Sequence, residues 1–253
     1  MRPRIVAVEG PSAAGKSSVV ARLAATEGWL PLAEATDRLG AAVDLRYRSF
    51  AELARLERRL LDEEAVRWAT ARAWVRRGRT VVADTGFLGP LTYTRGLVAA
   101  GLAPARVLGP LLRRARSMAN RRAWGLPDLT VYLVAAEATR RRRARADRTR
   151  HPADLDARHA TVAPWEAEFY RTVGTSIDRG RVRTVRAEGP VEEVARRVVR
   201  AARGRVPRSA PDARLDRLLA ALARPALPER PRPRGAAAAT VKKTTGRPLD
   251  PRR

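Results

Sequence analysis

Eight residues near the N-terminus constrain the fold of this chain more than any other feature. Gly10-Pro11-Ser12-Ala13-Ala14-Gly15-Lys16-Ser17 fits G-x-x-x-x-G-K-[ST] at every fixed position. Gly10 and Gly15 let the backbone curl, so that its N–H groups approach phosphate oxygens. A helix opening near Lys16 turns its positive end toward the same anion. Lys16 offers a compact charge to the β- and γ-phosphates, and the Ser17 hydroxyl suits magnesium. Ser18 completes the set of nucleotide-binding candidates. Such a loop works only between a strand and a helix, and both are predicted. Arg4 to Glu9 is a β-branched run, and Ser17 to Glu27 carries Val20, Leu23 and Ala24 on one side. The expected ligands are ATP and Mg2+. The loop alone does not separate a kinase from a GTPase, a motor or an ATPase subunit.

The remaining pattern alternates strands with helices. Trp29–Ala33, Thr80–Ala83, Leu129–Val134 and Arg181–Arg186 read as further strands. Between them, Ser49 with Glu52 has the spacing of a capping box and opens a helix reaching Arg77, with a break near Asp62. Further helices are expected over 104–120, from Glu137 to about Asp147, over Ala163–Val173, and from Pro190 to about Arg203. His151-Pro152 interrupts the Arg-dense one, and both histidines, His151 and His159, read as loop residues. Trp68, Trp74, Trp124 and Trp165 are expected in the core, or one of them in an acceptor pocket. Strands joined by helices of this length pair in parallel through crossovers, which predicts an α/β fold with a five-stranded sheet.

Composition bounds the rest. The chain of 253 residues has no cysteine, so disulfides and thiolate metal sites are excluded and a cytoplasmic setting is expected. The first apolar run meets Gly10 and Pro11 too early for a secretory leader. No apolar stretch approaches the roughly 20 residues of a membrane span. The net charge is +26, of which +9 falls on residues 204–253. That last segment holds eight of the eighteen prolines and no aromatic residue, so it reads as a basic, mostly disordered tail with one candidate helix at 212–223. Its charge suits sequence-blind contact with nucleic acid, because nothing in it can stack on bases. Only three lysines are present, Lys16, Lys242 and Lys243. A Lys kept among so many arginines marks a place that needs an ammonium group.

Over residues 1–203 the order of segments resembles the thymidylate kinase and deoxynucleoside kinase group of phosphate-loop kinases. Glu34 follows the second strand, where these kinases carry Glu-Pro beside the acceptor; here the pair is Glu34-Ala35. Asp84 follows the third, where they read Asp-Arg or Glu-Arg; here Thr85 replaces the arginine that would hold the acceptor. Tyr93 and Gly96 fall where thymidylate kinases have Tyr and Gly. Arg143-Ala144-Arg145-Ala146-Asp147 is similar to the Arg-x-Arg-x-acidic pattern of their lids. The resemblance implies a three-layer sandwich with strand order 2-3-1-4-5 and a lid at about 138–160. It implies catalytic roles for Lys16, Glu34, Asp84, Arg143 and Arg145, with Ser17 and Asp84 toward the metal and Glu34, Asp84 and Tyr93 toward the acceptor. It also implies a homodimer through the helices around 49–77 and 104–120. A surface carboxylate is the plainer reading of Glu34, a helix cap that of Asp84, and a solvated basic helix that of the lid segment.

Three functions fit these residues: a kinase of nucleosides or nucleoside monophosphates, a phosphotransferase acting on another metabolite or an antibiotic, and a nucleotide-binding regulator with a nucleic-acid-binding tail.

Overall fold

Alternation along single strands divides this molecule into two cores. In β1 (Ile5–Glu9), Ile5 and Ala7 pack into one apolar cluster, while Val6 and Val8 pack into another on the opposite face. Every residue of β1 is buried, as a central strand covered on both faces requires. The computed structural model describes residues 4–40, 47–146, 153–207 and 211–224.

The elements that follow are α1 (Lys16–Glu27), β2 (Leu30–Leu32), α2 (Ala35–Leu39), α3 (Phe50–Arg76), β3 (Val81–Asp84), α4 (Gly89–Ala99), α5 (Leu108–Asn120), β4 (Leu129–Val134), α6 (Glu137–Ala146), α7 (Ala153–Thr172), β5 (Val182–Arg186), α8 (Val191–Arg203) and α9 (Pro211–Ala223). The five strands form one sheet in the order β2-β3-β1-β4-β5, all neighbours parallel. Helices α1 and α8 cover one face, with Val20, Leu23, Val194 and Val198 packed over Val6, Val8 and Val131. The other face is thicker and carries α3, α4, α5 and α9. This is the three-layer architecture and strand order that the resemblance implies.

Local differences from the sequence reading have physical causes. Helix α3 runs unbroken through Asp62, which sits on the outer surface and accepts from Arg114 of α5 at 2.8 Å. Its predicted cap is present: Ser49 accepts from the Glu52 N–H at 3.2 Å, and Glu52 reaches back to the Arg48 N–H at 2.6 Å. The predicted helix over 104–120 begins as a short 3-10 turn, Ala105–Val107, before α5. The segment from Ala163 is the second half of α7, which starts at Ala153, contains Pro164 and ends in a π turn at Val173–Ile177. His159 therefore lies on a helix rather than in a loop, whereas His151 lies outside the described residues. The short α2 and the whole of α4 were not anticipated.

The candidate helix in the C-terminal segment is α9, and it belongs to the core. Leu215, Leu218, Leu219 and Leu222 are buried in the cluster that contains Leu111 and Met118 of α5. Buried Arg214 donates to Asp178 at 2.6 Å and to the Pro127 carbonyl at 2.8 Å. Residues 225–253, most of the expected tail, lie outside the described residues. Trp124 is fully buried, its indole N–H donating to the Phe87 carbonyl, while Trp68, Trp74 and Trp165 are partly exposed. Among the described residues no helix is long and apolar enough to cross a membrane.

Candidate active site

Where β1, β2, β3 and β5 end at one edge of the sheet, a cavity of 920 Å3 opens between the phosphate loop and the helices α3, α4 and α7. This is the edge at which parallel α/β sheets hold ligands.

The donor end is made of backbone. Gly10 has φ +146, and a Cβ there would stand 2.7 Å from the Leu133 carbonyl, so only glycine lets the loop leave β1 this close to β4. Gly15, at φ +95, caps α1 in the left-handed region. Ala13 is also left-handed, at φ 61, a conformation that costs a non-glycine residue free energy and concentrates at ligand-binding loops. The Lys16 ammonium folds back to donate to the Gly10 carbonyl at 3.1 Å. All the loop candidates from Gly10 to Ser18 line the cavity except Pro11, which is buried behind it.

Asp84 is the last residue of β3, one position later than the strand was expected to end. Its carboxyl is buried; one side-chain oxygen, Oδ1, has no hydrogen-bond partner, and the carboxylate accepts from Ser17. Burial pushes its pKa up to about 6, helped by the nearby charge of Glu34 and opposed by Ser17 and Lys16. A buried oxygen without a partner beside a serine hydroxyl is a donor set of hard oxygens, which fits Mg2+ and not a softer metal. No group of three or more His, Asp or Glu ligands occurs among the described residues, so the phosphates of a bound nucleotide would have to complete the shell.

Glu34 precedes α2 and faces the cavity, accepting from the Thr36 hydroxyl at 3.2 Å. Thr85 adopts φ 59 and lines the cavity. Beneath it, fully buried Arg67 donates to the Asp84 carbonyl at 2.6 Å and the Thr85 carbonyl at 3.2 Å, and pairs with Glu64. An arginine thus stands close to the position left by Thr85. It is spent on backbone carbonyls and offers no charge to the cavity.

The lid arginines separate. Arg143 donates to the carbonyls of Ala14 at 2.9 Å and Ala187 at 2.8 Å, tying α6 to the phosphate loop and to the turn after β5. Arg145 is exposed and does not line the cavity, so the structure does not bring it to the site; it corrects the expectation that both arginines converge there. Residues 147–152 of the expected lid lie outside the described residues.

At the far end, Tyr93 packs against His159 with ring centroids 4.9 Å apart and hydrogen-bonds with Tyr47. Burial raises the Tyr93 pKa, keeping the phenol neutral. The sequence reading missed most of the acidic lining of the cavity. Glu57, Glu64 and Glu166 all line the cavity, as does Glu9, which accepts from the Gly86 N–H and the Tyr170 hydroxyl, each at 2.7 Å. Burial pushes Glu57 up to about 8 and Glu166 up to about 7, and it raises Glu9 as well. Burial also raises Glu64, against the pull of Arg67. A signal for two of them exists in the sequence. The buried stripe of α3 is Leu53, Glu57, Leu61, Glu64, Arg67 and Ala71, so charged side chains stand at helical spacing where apolar ones are expected.

The sequence matches no protein-family model and no curated protein sequence. The structure is similar to that of deoxyadenosine kinase from M. mycoides with bound dATP, at a TM-score of 0.55 and 14% identity over 79% of this chain and 100% of that one. The same enzyme with bound dCTP gives 0.53 at 16% identity over 78% and 98%. Thymidylate kinase from Candida albicans gives 0.51 at 14% identity over 79% and 90%. The chain has the phosphate-loop deoxynucleoside and nucleotide kinase fold. At this identity the likeness establishes the architecture, and the chemistry must be argued from the site.

Proposed function

We propose that the chain is an ATP- and Mg2+-dependent kinase that phosphorylates a hydroxyl group of a small acceptor such as a nucleoside. One observation carries this reading: a single cavity joins the phosphate loop at Lys16 to Glu34 and Tyr93, so a triphosphate and an acceptor can lie end to end within it. Neighbours of the same fold have been solved as deoxyadenosine kinase and thymidylate kinase, which supports phosphoryl transfer over motor or regulatory roles.

In this reading the loop N–H groups and Lys16 grip the triphosphate. Ser17 and Asp84 would hold the metal, which when bound neutralises phosphate charge. Glu34, which faces the cavity, accepts the proton of the attacking hydroxyl. Arg143 fixes the loop and the turn after β5 rather than reaching for the transferring group. Phosphoryl transfer needs little more from a protein than positioning and charge.

A hydroxyl acceptor is favoured over a nucleoside monophosphate by Thr85 and by the acidic wall. Among the described residues Lys16 and Arg143, both at the donor end, are the only lysine or arginine side chains that line the cavity, and His159 is the one imidazole at the acceptor end. The test is ADP release with ATP and Mg2+ against nucleosides, their monophosphates and hydroxylated metabolites. Lys16→Ala should abolish ATP binding and turnover with every acceptor, and turnover that survives this change rejects the donor site.

A further inference from the structure

We infer that the acceptor carries a protonated amine, which Glu57 binds at the end of the cavity remote from the phosphate loop. The inference rests on the kinase reading above and names the substrate class of the same site.

Glu57 is 3% exposed, lines the cavity, and its Oε2 has no hydrogen-bond partner. A buried carboxylate without a partner is costly, and native proteins keep one where a ligand completes it. Its surroundings suit a cation. Tyr93 lies close enough to feel its charge, Tyr47 hydrogen-bonds with Tyr93, and His159 stacks on Tyr93. Ring faces beside a carboxylate form the surface that binds ammonium groups.

The neighbouring charges leave that carboxylate uncompensated. Arg67 is committed to Glu64, Asp84 and Thr85. Arg158 lies over the Tyr47 ring, 4.4 Å from its centroid, and its charge reaches Tyr93, but its side chain does not line the cavity. Lys16 serves the donor end. Glu34 and Glu166 add negative charge along the same cavity, and among the described residues neither is in an ion pair. An ammonium group entering here would supply the missing charge, whereas a second phosphate would face carboxylates with no lysine or arginine of the described residues lining this end to receive it. Burial pushes Glu57 up to about 8, and a bound ammonium would draw it back toward the ionised form.

The step balances without a further reactant. A hydroxyl oxygen of the amine-bearing acceptor bonds to the γ-phosphorus as the bond from that phosphorus to the β–γ bridging oxygen breaks. ADP leaves with that electron pair, and the hydroxyl proton passes to Glu34 and then to solvent.

The experiment compares 2-deoxystreptamine and glucosamine with their N-acetylated forms, thymidine and thymidine monophosphate, following ADP release, with ATP binding measured separately. At least one free amine should exceed its N-acetylated form by roughly 100-fold in kcat/KM. Glu57→Gln should raise KM for that amine roughly tenfold or more and so narrow the gap between the free amine and its N-acetylated form, with ATP binding as the internal control. If Glu57→Gln does not fold, direct binding of the free amine to the parent protein, lost on N-acetylation, carries the same information. Lys16-dependent ATP binding combined with thymidine, thymidine monophosphate or an N-acetylated form as the best acceptor overturns this inference and spares the kinase reading. A protein that binds no ATP overturns both.

Discussion

The two ends of the cavity are built on opposite plans. At the donor end the ligand meets backbone: glycines at φ +146 and +95, a left-handed Ala13, the start of α1, and one lysine turned back on its own loop. At the acceptor end it meets side chains carried on α3, α4 and α7, with carboxylates where a core would place leucines. A backbone cradle needs particular residues in consecutive positions, because curvature and N–H direction are local properties. A side-chain pocket needs residues far apart in the sequence that meet only after folding. The first plan fixes the phosphates and tolerates little variation, while the second can change its acceptor without touching the loop.

That contrast is broken most severely at its two hubs. Lys16→Ala should lower turnover by at least roughly 10^3-fold with a smaller effect on melting temperature, since the side chain's one hydrogen bond is to the Gly10 carbonyl and its charge also reaches Glu9, Asp84 and Glu166. Arg67→Met should do the reverse. It strips the buried Glu64 carboxyl of its partner and frees the carbonyls of Asp84 and Thr85, at a cost of about 3–5 kcal/mol in urea denaturation. A double variant with Glu64→Leu should recover much of that loss, and failure to recover it would mean that Arg67 acts through the two carbonyls alone.

Glu34→Gln sharpens the boundary between the ends. The amide keeps a hydrogen bond to Thr36 but cannot take a proton, so kcat should fall roughly 10^2-fold with ATP affinity unchanged. An unaltered kcat would assign Glu34 to orienting the acceptor and leave proton transfer to water.

The same contrast explains what could be read before folding. Gly10 to Ser17 sits in one window, and the flanking strand and helix follow from periodicity, so the phosphate loop was legible, while the sheet order came from the resemblance. Asp84 and Glu34 were named through the resemblance, from their places at the end of the third strand and after the second. Glu57 and Glu64 were not singled out, because they interrupt the apolar stripe of α3 with charge at the turns that face inward. Glu9 looked like the last residue of a strand, since its partners Gly86 and Tyr170 are 77 and 161 residues away. Helix α9 was recognised as amphipathic but assigned to a tail. Its leucines bury against α5, a contact that proline content and net charge do not reveal, so a cut at residue 204 would strip core as well as tail.

The smallest predicted effect concerns the stability of the acceptor end. Burial raises Glu57 from 4.5 to about 8. Between those values the folded chain holds a proton that the unfolded chain has lost, so the unfolding free energy decreases as pH rises. The stabilisation is complete below the unfolded value and gone once pH passes the folded one. The parent should therefore melt at a lower temperature at pH 9 than at pH 6. Glu57→Gln has no proton to lose, so its slope should be shallower and it should melt a few degrees above the parent at pH 9, taking about 2–4 °C for each kcal/mol at this size. Glu166 is raised in the same way and leaves part of the slope in place, which a second substitution at Glu166 should remove. Tyr93 from α4 stays neutral throughout this range, and the Arg67–Glu64 pair on the same helix is unchanged by the substitution. Equal slopes for parent and Glu57→Gln would mean that solvent or a neighbouring cation already satisfies this carboxylate, and the acceptor end would then be no more strained than the donor end.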